Sequence, residues 1–154
     1  MFSSEALRAS GFDGFVTWAE FNPRTVADLG GVYIVLRSAD TAPSFEAVSC
    51  GGHFKGRNPA VGLDQLRAKW VSGTETVYIG KATNLRTRLR QYRAFGSGRA
   101  VGHWGGRYIW QLTEPLQLHV CWKATEEPPE TVESALLRSF TTQHGSLPFA
   151  NLRN

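Results

Sequence analysis

Val77-Tyr78-Ile79-Gly80-Lys81-Ala82-Thr83-Asn84-Leu85-Arg86-Thr87-Arg88-Leu89-Arg90-Gln91-Tyr92 is the stretch from which the rest of the chain can be read. It spells a short strand, a glycine turn and a helix. Side chains alternate across a strand, so Val77 and Ile79 are expected on one face and Tyr78 on the other. Gly80 can bend the chain where a side chain would obstruct it. Thr83 or Asn84 can cap the helix by accepting from its free N–H groups. Leu85, Leu89 and Tyr92 have the i, i+4, i+7 spacing of a buried stripe. Arg86, Arg90 and Arg93 repeat that spacing on another face. Arg88 joins neither set; it sits at the edge of the apolar stripe, one turn before Tyr92. A guanidinium held against an apolar margin needs an anion.

Upstream, Val32 to Arg37 reads as a second strand, with Val32, Ile34 and Leu36 on one face and Tyr33, Val35 and Arg37 on the other. Tyr33 thus repeats the placement of Tyr78. Two tyrosines on the non-aliphatic faces of paired strands would meet in one pocket, although each also fits ordinary cross-strand packing. Residues 38–75 form an insertion between the two strands, broken up by Pro43, Gly51-Gly52, Gly56 and Pro59. Phe45 to Ser49 reads as a brief strand, and Leu63, Leu66 and Trp70 as one face of a short helix. Lys55, Arg57 and Asn58 give the insertion a basic tip that could follow a nucleic acid or cover an edge strand. Residues 1–30 read as an irregular arm, with Phe12, Phe15, Trp18 and Phe21 spaced to line one side of a short helix or lid.

Downstream, Phe95 to Arg107 holds five glycines together with Arg99, His103 and Arg107. Such loops let the backbone approach a phosphate closely, and His103 and Arg107 fit phosphate or active-site contacts as well as a structural turn. Tyr108 to Leu112 and Leu116 to Trp122 read as strands joined by a turn at Glu114-Pro115. Pro129 suits a first helical turn, and the helix is expected to run to about Thr142 with Val132, Ala135, Leu136 and Ser139 inward. Glu133 falls at its apolar margin. A carboxylate there is costly unless it is paired or binds a cation.

A chain of 154 residues is expected to make one domain spanning 1–154. It has no run of about 18 apolar residues, and Met1 to Glu5 lacks the basic and apolar blocks of a signal peptide. Two distant cysteines fit a reducing compartment. These features predict a cytoplasmic protein with no membrane partner. The basic charge is concentrated: Lys81 to Thr113 carries seven Lys/Arg and no Asp/Glu, while the remainder is net acidic. A nucleic-acid phosphate track would explain that block, as would a solvated face.

Taken together, Gly31-Val32-Tyr33, Tyr78-Ile79-Gly80, Arg88 eight residues after Gly80, Tyr92 twelve after it, then Glu133 and Asn151, resemble the ordered signature of the GIY-YIG nuclease family. The resemblance covers about residues 31–151. The family's two triplets usually stand closer than in this chain, where 45 residues separate Tyr33 from Tyr78. It implies an α/β mixed fold, a small central antiparallel sheet flanked by helices. It also implies a metal-dependent endonuclease acting on DNA, or RNA, with Tyr33 as general base or orienter of the attacking water.

The chemistry assigns the other groups. Glu133 is the candidate ligand for Mg2+ or Mn2+, which polarises phosphate oxygens. Arg88 offers a forked donor to the non-bridging oxygens. An unperturbed phenol titrates near pH 10, so Tyr33 needs nearby positive charge; Lys81 is the expected source. Tyr78 and Tyr92 would hydrogen-bond water or phosphate, and Asn151 the backbone of the site. Arg86, Arg90, Arg93, Arg99, His103 and Arg107 are the expected nucleic-acid contacts. Specificity would come from the insertion, the glycine loop, an oligomer or a partner. A non-catalytic nucleic-acid-binding module using Lys81–Arg107 is the competing reading. Cys50, His53, His119 and Cys121 also have the types, though not a proven meeting point, for a zinc site.

Overall fold

A computed structural model describes residues 1–152 of the chain. It opens with helix α1 (Ser4–Ala9), whose first turn is capped by the Ser3 hydroxyl accepting from the Ala6 N–H. There follow strand β1 (Asp13–Thr17), strand β2 (Gly31–Leu36), helix α2 (Leu63–Lys69), strand β3 (Thr76–Ala82), helix α3 (Leu85–Gly96), strand β4 (His119–Ala124) and helix α4 (Pro129–His144). The strands make one antiparallel sheet in the order β1-β4-β2-β3. The fold is therefore mixed α/β with a central four-stranded antiparallel sheet.

All of β2 is buried. Val32, Ile34 and Leu36 pack with Phe2, Leu7, Leu137 and Phe140, while Tyr33 and Val35 pack with Trp18, Leu85, Leu89, Tyr92 and Trp110. α4 thus covers one face of the sheet and α3 the other. α3 starts where expected: the Asn84 side chain accepts from the Thr87 N–H at 3.0 Å. Leu85, Leu89, Tyr92 and Phe95 form its buried stripe. Gly145 closes α4 in the left-handed conformation, at φ 80°, which glycine adopts without steric cost.

β2 and β3 are hydrogen-bonded neighbours despite the long excursion between them, with Tyr33 opposite Gly80 and Val35 opposite Tyr78. The excursion is anchored by Gln111, whose amide accepts from the Val61 N–H and donates to the carbonyls of Val61 and Glu46.

Several sequence expectations fail for identifiable reasons. The stretch 1–30 is not irregular: α1 packs Leu7 into the core, and β1 pairs with β4. Phe12, Phe15, Trp18 and Phe21 therefore lie along a strand and the turn after it, not on a helix, and Phe15 occupies φ 60° where the pairing shifts register. β3 carries an irregularity opposite Val35 and Leu36. Val77 consequently faces the same layer as Tyr78, and Ile79 the other. Gly80 makes no turn, since the strand continues to Ala82. Trp104 to Gln111 is a run of 3₁₀ turns and not a strand, with Tyr108, Ile109 and Trp110 all buried. Phe45 contributes one isolated bridge to Leu112. β4 begins only at His119, leaving Leu116 at 37% exposure. In α4 Leu137 and Phe140 are fully buried, Val132 and Leu136 pack partly buried against the same layer as expected, and Ala135 is exposed. That rotation puts Glu133, one turn before Leu137, on the inward face.

Candidate active site

Tyr33 on β2, Tyr78 on β3, Tyr92 on α3 and His103 in the glycine loop converge under the α3 face of the sheet. The Tyr33 ring lies 6.0 Å from Tyr78, 6.2 Å from Tyr92 and 6.1 Å from His103, centroid to centroid. The imidazole stacks on Tyr92 at 3.5 Å and 4°. The Tyr33 Oη and His103 Nε2 atoms stand 2.6 Å apart. Tyr92 Oη donates to the Gly106 carbonyl at 2.6 Å. Two glycines make room. A side chain on Gly80 would enter the Tyr33 ring, and one on Gly106 would enter the Tyr92 phenol. Gly80 is thus needed for the close approach of a cross-strand tyrosine, not for a bend.

Arg88 is the charged member. Its Nη1 donates to the Gly102 carbonyl at 2.6 Å and reaches Gln91 Oε1 at 3.4 Å. Burial drives the Tyr33 phenol well above its ordinary pKa; neighbouring Tyr78 adds to this and Arg88 opposes it. Tyr78 is pushed up to about 12, again by burial, with Arg88 lowering it and Glu133 raising it. Tyr92 is raised in the same way, by burial and then by the other two phenols. His103 is held well below its ordinary value by burial and by Arg88. At neutral pH the cluster is three neutral phenols and a neutral imidazole beside one guanidinium. If Nε2 accepts from Tyr33, the proton of the imidazole sits on Nδ1, which has no partner.

Lys81 does not serve Tyr33. It pairs with Val32 across the sheet, so it stands on the α4 face. There its ammonium lies 3.7 Å from Glu130 and 4.0 Å from Glu133. The positive charge that acts on Tyr33 comes from Arg88. Glu133 has a side chain 17% exposed, and no hydrogen bond is made to its carboxylate among the described residues. Burial raises its pKa, Lys81 lowers it and Glu130 raises it. A half-buried carboxylate with no hydrogen-bond partner among the described residues is the kind of oxygen donor that a hard divalent cation takes. A cleft of about 670 Å³ runs between Arg88 and the Lys81–Glu130 pair, with Asn84, Thr87 and Gln91 also on its walls; Glu133 and the three phenols do not line it.

Asn151 holds the edge. Its side chain accepts from the Ile79 N–H and donates to the Ile79 carbonyl, both at 2.9 Å. It positions β3, and among the described residues makes no hydrogen bond to the phenols or to Arg88.

The expected nucleic-acid contacts divide. His103 is fully buried and cannot meet a backbone at the surface; it belongs to the tyrosine cluster. Arg86 is tied to the Val26 carbonyl and to Asp28, and Arg93 to the Trp18 carbonyl and Ser97. Arg90 and Arg99 are exposed. Arg107 stands over Trp104. The zinc site does not form: no group of three or more His, Cys, Asp or Glu able to hold a metal exists among the described residues. Cys121 is buried in the layer beneath α4 with its thiol pushed up by burial, while Cys50 contacts the Trp110 carbonyl. No helix of the described residues is long and apolar enough to cross a membrane.

Comparison with protein-family models, with curated proteins and with solved structures yields no match. The functional reading therefore rests on the residues and their geometry.

Proposed function

We propose that the protein is a metal-dependent endonuclease of GIY-YIG type that hydrolyses DNA phosphodiester bonds. The observation that carries this is the meeting of Tyr33, Tyr78 and Arg88, from three separate elements, behind a cleft whose walls include Arg88 and Lys81. In the free protein Arg88 spends one donor on a neutral carbonyl, that of Gly102. A phosphate is the stronger acceptor, because its own negative charge pairs with the guanidinium and its oxygens can take both prongs of the fork. Substrate therefore takes Arg88 from Gly102 and loosens the loop that seals the phenols.

Hydrolysis requires a deprotonated water, neutralised charge on the phosphorus centre and a route out for the 3′ oxygen. Tyr33 is too buried to ionise alone. It can take a proton from water only while passing its own to His103 Nε2, already 2.6 Å away. Tyr92 keeps that imidazole in plane by stacking. Arg88 neutralises the non-bridging oxygens as charge develops there, and Tyr78 donates to water or phosphate. A divalent cation, Mg2+ or Mn2+, held by Glu133 would polarise the phosphate and assist the leaving oxygen.

The test is incubation with supercoiled, linear, branched and single-stranded DNA in Mg2+ or EDTA. Folded Glu133→Ala should lose cleavage by orders of magnitude while keeping its binding in EDTA. Parent-like cutting by that variant in Mg2+ removes Glu133 from the metal site. One observation favours a second reading, a nucleic-acid-binding module: Tyr33 is only 1% exposed beneath His103. Binding by the parent without cleavage of any DNA or RNA form, in Mg2+ or Mn2+, would establish it.

A further inference from the structure

The outer side of the loop that carries His103 has its own construction. Trp104 follows His103 directly, and two arginines from distant parts of the chain share its indole. The Arg57 guanidinium carbon lies 4.9 Å from the Trp104 ring centroid and that of Arg107 4.5 Å. Arg107 is fixed further by donating to the Trp104 carbonyl at 3.1 Å. Lys55 stands 5.3 Å over the Phe54 ring in the same segment as Arg57. Arg57 and Lys55 come from the insertion, so the insertion and the glycine loop build one surface. Close packing joins them: Gly52 donates its N–H to the Phe95 carbonyl, and any side chain on Gly52 would strike the Arg99 carbonyl.

The charge of this surface is unbalanced. Residues 47–63 and 76–113 contain no Asp or Glu. The fold neutralises other cations, pairing Arg86 with Asp28, Arg67 with Asp64 and Lys81 with Glu130. Arg57 and Arg107 make no ion pair among the described residues, and the charge of Arg57, after burial, makes Arg107 harder to protonate. Two like charges held on one aromatic ring are unfavourable without a counter-ion. The indole keeps both guanidiniums presented by cation–π attraction, and planar guanidinium forks match phosphate oxygens. Arg86 and Arg93 on α3 are each tied to two partners, whereas Arg107 gives only Nη1 to the Trp104 carbonyl and Arg57 makes no side-chain hydrogen bond among the described residues.

We infer that Arg57, Trp104 and Arg107 form the docking site for the phosphodiester backbone of the substrate strand, an inference that rests on the nuclease reading above. The insertion then has a role: it supplies half of the clamp. The clamp sits on the segment whose inner side holds Tyr92 through Gly106 and Arg88 through Gly102. A strand held there lies against the loop whose Gly102 carbonyl shares Arg88.

The test uses the full chain carrying Glu133→Ala, in EDTA, so that binding is read without cleavage. Fluorescence anisotropy with a labelled duplex and with a single strand of the same sequence is measured over a range of salt. Adding Arg57→Gln and Arg107→Gln together should weaken binding by roughly tenfold or more per side chain at low salt, the size of one charge-assisted hydrogen bond. The slope of log K against log salt should shrink by about 1.8 for duplex, or about 1.4 if the docked segment is single-stranded. Arg138→Gln, on the exposed side of α4, should change neither. Arg57 is exposed, so Arg57→Gln alone remains informative if the Arg107 change disturbs folding. A slope and affinity equal to the parent's, or no binding by the parent at low salt, overturns the clamp. A clamp that passes while the parent cuts nothing removes the nuclease reading and leaves the clamp standing.

Discussion

Asn151→Ala should be among the most damaging substitutions outside the phenol cluster. β3 is the edge strand of the sheet, so every second residue has its N–H and C=O turned away from β2. At Ile79 both outward groups are satisfied by the Asn151 amide at 2.9 Å. Asn151 is only 6% exposed, so water cannot simply replace it. Truncation leaves one buried donor and one buried acceptor unpaired, at about 1–3 kcal/mol each. Local relaxation puts the expected loss near the lower end, about 2–4 kcal/mol. For a chain of this size that corresponds to a fall in Tm of very roughly 5–15 °C.

Asn151→Asp sharpens the test. A carboxylate can still accept from the Ile79 N–H, but its other oxygen would face the Ile79 carbonyl, acceptor against acceptor. Repulsion and burial raise the folded-state pKa of the introduced carboxyl above its unfolded value of about 3.9. A group raised in this way contributes stability below its unfolded pKa and loses it as pH rises through the folded value. Asn151→Asp should therefore gain stability relative to Asn151→Ala on acidification, and the two should converge or cross near neutrality. Urea unfolding of parent and both variants between pH 4 and pH 8 measures this directly. If both variants stay within about 0.5 kcal/mol of the parent, the size of an ordinary surface change, the edge-strand argument is wrong.

Gly80→Ala should place a methyl group in the Tyr33 ring; an overpacking cost of about 1–3 kcal/mol is expected in chemical denaturation. His103 has a depressed folded-state pKa, so the protein should lose stability as pH falls below the unfolded histidine value of about 6.5. His103→Gln should flatten that part of the stability profile; an unchanged profile would mean the imidazole is not held neutral by the fold. If the proposed nuclease activity holds, Arg88→Ala should reduce it on the order of 10²–10³, and Arg88→Lys should rescue little of it because an ammonium cannot supply the fork; single-turnover assays decide.

Much of the scaffold was legible. The Leu85, Leu89, Tyr92 stripe and the Asn84 cap follow from helical periodicity and hydrogen-bond chemistry, and both are present. Alternation sets Lys81, three residues beyond Tyr78, on the face opposite the phenols, where it meets Glu130 and Glu133 and not Tyr33. Other features had no periodic signal. The irregularity that turns Val77 to the side of Tyr78 depends on pairing with β2. Tyr108 to Leu112 alternates large side chains as a strand would, yet all of Tyr108, Ile109 and Trp110 are enclosed by tertiary packing, which satisfies a 3₁₀ run equally well. The contact between Tyr33 and His103 spans 70 positions, and nothing local announces it.

In α4 helical periodicity alone does not decide which face turns inward. Two overlapping stripes compete there, Val132-Leu136-Ser139 and Glu133-Leu137-Phe140. The second contains the larger apolar groups, but it requires turning a carboxylate inward, which is unfavourable without a partner. The fold nevertheless buries Leu137 and Phe140 and leaves Glu133 at 17% exposure, 4.0 Å from Lys81. Places where a chain violates a local rule are where function is most often found. Phe140 and Leu137 anchor the helix by hydrophobic burial, and the same rotation aims Glu133 toward Lys81 and the edge strand bearing Tyr78. The apolar pair thus supplies the free energy that holds an acid in an unfavourable place, and a cation bound there would relieve it. The raised pKa of the Glu133 carboxylate and its proposed metal affinity have one cause, incomplete compensation of a half-buried negative charge.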